Sequence, residues 1–185
     1  MRVSARVLFV GEAPTISNVG FPLHPDYCDA GRRLLGYTGW SREEFLRLAD
    51  RTNLFEHPQE RWGPVSARDA ATTMVVDDWA RYEHVVLLGR RVADSFREVG
   101  SAPFFRCAFY GCATSARSRG TRAYVCPHPS GRNRWWNDQN NRRAARRFFN
   151  RLATDVWEPP QQSRPVTVGP AMPAGGGSHT TGDKQ

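Results

Sequence analysis

Three residues stand where one kind of chemistry needs them. Glu12 lies in Gly11-Glu12-Ala13-Pro14, directly after an apolar run. A carboxylate there can position a water, and the glycine lets a ligand come close. His128 opens His128-Pro129-Ser130, also after an apolar run, and can donate a hydrogen bond to a developing anion. Asn53 follows Thr52 and presents a donor and an acceptor side by side, enough to read a pyrimidine edge. A held water and a donor to the departing base are what cleavage of an N-glycosidic bond requires, together with a way to extrude the base. That reaction builds positive charge on the sugar and negative charge on the base. Each residue also has a plainer role open to it: a solvated loop glutamate, a histidine bonded to a backbone carbonyl, a cap or turn asparagine.

Charge points to a polyanionic partner. The chain of 185 residues carries a net charge of +8. Between Arg117 and Arg151 there are ten arginines and one acid, Asp138, so this stretch alone carries +9. The remainder, with 16 basic and 17 acidic residues, nets −1. A preference for arginine over lysine explains the type of base but not its clustering, which is the footprint of nucleic-acid contact. Within the stretch, Gly131-Arg132-Asn133-Arg134-Trp135-Trp136-Asn137 joins flexibility, two guanidiniums and two adjacent indoles. Such a loop can stack on bases or wedge into a duplex, while one indole can instead pack beneath the last helix. Arg132, Asn133, Arg134, Trp135, Trp136, Arg142 and Arg146 are the expected DNA contacts.

The elements that must position these residues follow from periodicity. Near-continuous apolar runs at 6–11 and 84–89 read as strands of a covered parallel sheet. Shorter runs at 52–55 and 123–126 read as two more strands. Helical patterns lie at 29–35, 41–49, 66–82, 90–99 and 137–156, and Ser41-Arg42-Glu43-Glu44 is a capping box. Ala145, Phe148, Phe149, Leu152 and Val156 form the apolar stripe of the last helix. The segment 106–122, with Gly111 and Gly120, reads as a hairpin or mobile loop. Alternating strands and helices predict a three-layer α/β/α sandwich around a four-stranded, mainly parallel sheet, with the ligand beyond the carboxyl ends of the strands.

The domain is expected to span residues 1–157, followed by a disordered proline- and glycine-rich tail over 158–185. The four cysteines form no CxxC pair, so free thiols, no metal and an intracellular setting are expected. Residues 1–10 do not read as a signal peptide, and no apolar run reaches the ~20 residues of a membrane span. A monomer bound to single- or double-stranded DNA is the expected state.

The order of these motifs resembles the family-4 and family-5 branch of the uracil-DNA glycosylase superfamily. The matching features are Gly11-Glu12-Ala13-Pro14, Gly20-Phe21-Pro22-Leu23, Ala30-Gly31-Arg32-Arg33-Leu34-Leu35, Thr52-Asn53, Leu88-Gly89-Arg90-Arg91-Val92-Ala93 and His128-Pro129-Ser130. They cover residues 5–150 or so. The resemblance implies a DNA glycosylase that flips out uracil or a modified pyrimidine. It implies that Glu12 places the attacking water, Asn53 reads the base and His128 stabilises the departing base. Gly11, Ala13, Pro14, Phe21, Leu23 and Ser130 would line the substrate pocket, and the loop after Ser130 would enter the duplex. The chain departs from the pattern in three ways. Thr15 replaces a glycine, Leu23 stands where the base-stacking aromatic belongs, so that either Phe21 or Tyr27 serves or the base differs, and the iron–sulfur cysteines are missing. No cofactor is therefore expected, and the substrate is left as uracil or a modified pyrimidine. A non-catalytic binder or sensor of modified DNA on the same scaffold is the alternative.

Overall fold

A computed structural model of the chain describes residues 7–15, 20–77, 79–97, 99–110 and 121–157. The expected tail at 158–185 lies outside these residues, as do the centre of the 106–122 loop and Cys112. The strands are β1 (Val7–Gly11), β2 (Ala49–Asn53), β3 (His84–Leu88), β4 (Cys107–Tyr110) and β5 (Thr121–Cys126). The helices are α1 (Asp29–Thr38), α2 (Arg42–Leu48), α3 (Pro64–Asp77), α4 (Arg90–Ser95) and α5 (Gln139–Trp157). Short 3₁₀ turns span Trp79–Arg81 and Arg134–Asn137.

The sheet has five strands in the order β2-β1-β3-β5-β4. The first four run parallel, and β4 pairs antiparallel with β5. Five strands replace the expected four because the front of the 106–122 segment, read as a hairpin or loop, forms β4 at the sheet edge. The hairpin reading holds for its two arms. β2 is also corrected: it ends at Asn53 rather than starting at Thr52. Its sequence Ala-Asp-Arg-Thr-Asn carries no apolar run because an edge strand is half-exposed, and only Ala49 is fully buried.

Every residue of β1 and β3 is buried, as their unbroken apolar runs require. Side chains alternate between two cores. Val7, Phe9, Val86, Leu88 and Tyr124 face α1, α2 and α5, while Leu8, Val10, Val85, Leu87 and Val125 face α3 and α4. Ala145, Phe148, Phe149, Leu152 and Val156 of α5 are all buried, as their spacing predicts. Phe9 stacks on Phe45 at 5.6 Å and meets Phe149 at 6.3 Å, tying α2 and α5 to the central strand. Removing that ring should cost about 3–5 kcal/mol. The capping box at Ser41 is present, with both reciprocal bonds to Glu44.

Parallel register aligns the carboxyl ends. Gly11 is opposite Asn53, and Leu88 is opposite Cys126. The chain leaves β1 and β3 for opposite sides of the sheet, so a crevice opens between them. Glu12 and Gly89 are the first residues past those two strands.

Candidate functional site

The crevice is a cleft of about 1200 Å³ lined by Glu12, Ala13, Pro14, Thr15, Trp62, Gly89, Arg90, Arg91, His128, Ser130, Arg132 and Asn133, with Pro58, Gln59 and Glu60 at one side. The two residues assigned to chemistry, Glu12 and His128, therefore face one space. Ala13, Pro14, Ser130, Arg132 and Asn133 share it.

Backbone bonds fix Glu12. The carbonyls of Gly11 and Glu12 accept from the amides of Leu54 (2.9 Å) and Phe55 (3.1 Å), so the chain after β1 stays pinned to the chain after β2. The carboxylate is about one-third exposed, and Arg91 Nη1 lies 3.4 Å from its Oε1. Arg91 sits in the first turn of α4, which brings a cation to the cleft from the far side of β3. At 3.4 Å and with Arg91 mostly exposed, this pair orients Glu12 more than it stabilises the fold.

His128 is held by its own loop. The Ser130 amide donates to His128 Nδ1 at 3.1 Å. Nδ1 must therefore be unprotonated, and the neutral ring carries its proton on Nε2. Burial lowers the pKa of His128 below 6.5, against an opposing pull from the Glu12 carboxylate. The ring is therefore a neutral donor at physiological pH. The His128 carbonyl accepts from Asn133 Nδ2 (3.0 Å) and Trp136 Nε1 (2.9 Å), which closes the loop over 128–136. Gly89 makes room for the histidine. It adopts φ +104°, and a Cβ there would stand 3.2 Å from His128 Cβ. Glycine meets both demands.

Asn53 does not line this cleft. Its Oδ1 occupies the space that a Cβ on Gly11 would need, with Leu23 on the other side of that space. The amide is thus beside the first motif, one strand away from Glu12. Leu23 is 5% exposed and has φ +52°, a costly backbone state for leucine. It fills the place beside Asn53 with an aliphatic side chain. Phe21 and Tyr27 are instead 52% and 55% exposed and pack on each other at 4.6 Å. Neither lines the cleft.

The expected contacts of the basic loop divide. Arg132 and Arg134 are exposed. One of the two indoles packs inward, as the sequence reading allowed: Trp136 is 4% exposed and stacks on Tyr37 at 3.7 Å, so in this conformation it is not the DNA contact expected of it. Trp135 is half-buried against Phe104 and Phe105. Asn133 spends its side chain on the loop, accepting from the Trp135 amide at 3.1 Å while donating to His128. Arg142 and Arg146 lie outside the cleft, in a separate groove between α1 and α5.

Sequence reasoning missed Arg91 and Trp62 as cleft residues. The signal for Arg91 was its place one turn past a strand end, in Leu88-Gly89-Arg90-Arg91. Among the described residues no three His, Cys, Asp or Glu side chains converge as a metal ligand set, and no helix is long and apolar enough to cross a membrane. No protein-family model matches the chain, and no curated protein matches it in sequence.

Proposed function

We propose that the chain is a DNA glycosylase that flips out uracil or a modified pyrimidine and hydrolyses its N-glycosidic bond, leaving an abasic site. The observation that carries this reading is that Glu12 and His128 line one cleft at the switch point of a mainly parallel sheet, with His128 in the tautomer that donates from Nε2. In such a reaction the sugar gains positive charge as the bond stretches. Glu12 stabilises that charge, holds the attacking water on the sugar's far face and accepts its proton as the new carbon–oxygen bond forms. The base leaves as an anion, and the neutral His128 donates to it without first needing a proton from solvent. The resemblance assigns base reading to Asn53, whose amide lies beside Gly11 and outside the lining of this cleft. Base flipping supplies access, since the target bond is out of reach in a stacked duplex. Helices on both faces of the sheet fit the α/β/α sandwich of the uracil-DNA glycosylase superfamily, with β4 added at the edge.

A second reading, a binder or sensor of modified DNA without catalysis, draws on Leu23. An aliphatic residue, buried beside Asn53, stands where the resemblance requires a stacking ring. One experiment separates the two. Duplex and single-stranded oligonucleotides carrying a panel of modified pyrimidines are incubated with the protein and assayed for abasic sites. The glycosylase reading expects excision of at least one base. DNA binding with no excision anywhere on the panel leaves the sensor.

A further inference from the structure

None of the five arginines of α5 lines the cleft, but three of them, all solvent-exposed, gather on a second concave surface. Arg142, Arg143 and Arg146 line a groove of about 510 Å³ whose opposite wall is α1, through Arg33, Gly36 and Tyr37. Among the described residues none of these four arginines is ion-paired; the pairs found use Arg32, Arg42, Arg91 and Arg122. Four like charges on one concave surface raise the local positive potential and attract an anion into the groove.

The two glycines of α1 add an independent observation. Gly31 is required by the fold, because a Cβ there would collide with the Leu23 carbonyl. Gly36 is not. It has no positive φ, and nothing lies within 4 Å of the position a Cβ would take. Alanine would suit the helix better at such a site. What Gly36 leaves open is the groove itself.

The groove also meets the cleft. The Arg33 guanidinium occupies the space beside Gly131 that a side chain would need, and Gly131 lies between the cleft residues Ser130 and Arg132. Tyr37 stacks on Trp136, whose indole bonds the His128 carbonyl.

We propose that the α1–α5 groove is a track for the phosphodiester backbone of the DNA strand leaving the cleft, with Arg33, Arg142, Arg143 and Arg146 on its phosphates and Gly36 at the point of closest approach. This rests on the reading of the partner as DNA. It does not require that the protein excise a base. Phosphate contacts of this kind set register on the strand and carry affinity and salt dependence, not sequence preference.

The test measures binding of unmodified duplex and single-stranded oligonucleotides by the full chain over a range of salt. For Arg142→Gln/Arg146→Gln the slope of log affinity against log salt should shrink by about 1.8 on duplex, or about 1.4 on single strand, if two phosphate contacts are lost. Gly36→Leu should keep or raise the melting temperature and weaken binding. Arg68→Gln/Arg97→Gln, a charge-matched change on the α3–α4 side, should leave the slope as in wild type. A wild-type slope on both substrates in the α5 variant, or wild-type affinity in Gly36→Leu, overturns the proposal. Failure to excise any base, with these binding changes present, would remove the glycosylase reading and leave the groove intact.

Discussion

Two histidines sit at opposite ends of the sheet. His84 opens β3 at its amino end. It is 2% exposed, its Nδ1 lies 3.4 Å from the Tyr124 hydroxyl, and the two rings stack at 5.9 Å. Burial pushes the Tyr124 phenol up to about 12, so its hydroxyl keeps its proton within the core. His128 lies just past the carboxyl end of β5. One ring nitrogen is taken by a backbone amide, and the ring lines an open cleft. The residue type is the same, and strand direction separates the roles. In a parallel sheet the carboxyl ends share one edge, where loops diverge and leave space, while at the other end the histidine is closed into the core.

Replacing each histidine is the strongest way to break this comparison. His128→Ala should slow excision about a hundred- to a thousandfold, the scale of one well-placed donor, with its folding midpoint little changed. His84→Ala should cost on the order of 2 kcal/mol in stability and leave the single-turnover rate at wild type. Denaturant melts and single-turnover rates on both variants measure this, and equal rate losses would erase the distinction.

A smaller effect is expected at Gly11. An added Cβ would overlap Asn53 Oδ1, which is the end of a side chain and can move. Gly11→Ala should therefore fold, displace the amide and cut discrimination between pyrimidines roughly tenfold. The ratio of kcat/KM for the preferred base and a competitor reports it. An unchanged ratio would free Asn53 from base reading.

The smallest effect is on pH. Burial lowers the pKa of His128 from its ordinary 6.5. Between the lowered value and 6.5 the unfolded chain binds more protons than the folded one. The stabilising contribution is thus full above 6.5 and is lost as pH falls through the folded value. His24 is shifted in the same direction by burial and adds to the trend. Urea midpoints at about pH 7.5 and about pH 5.5 should drop more for wild type than for His128→Gln. Equal drops would place the pH sensitivity elsewhere.

Much of the fold was legible because its central strands are covered on both faces. β1 and β3 read as unbroken apolar runs, and α5 showed its stripe at helical spacing. The edges were not legible. β2 is half-exposed and polar, and β4 follows a turn of aromatic residues and leads into glycines and serines, so neither carries a period. At the site, the order of motifs brought Glu12 and His128 to one cleft. The fate of the indoles was hidden, because Trp136 turns inward to meet Tyr37, a contact across most of the chain. Arg91 was hidden for the same reason, since its partner Glu12 is 79 residues away. Local sequence shows which groups exist, but only the packing shows which of them are spent on one another.

The central claim is that Glu12 and His128 act on opposite sides of one glycosidic bond. Single-turnover excision on an oligonucleotide bearing the base found in the panel, with the protein in saturating excess, tests it most directly. Wild type should generate abasic sites, while Glu12→Gln and His128→Ala should each lose at least a hundredfold in rate and still bind the oligonucleotide. Wild-type rates in either variant would contradict the account.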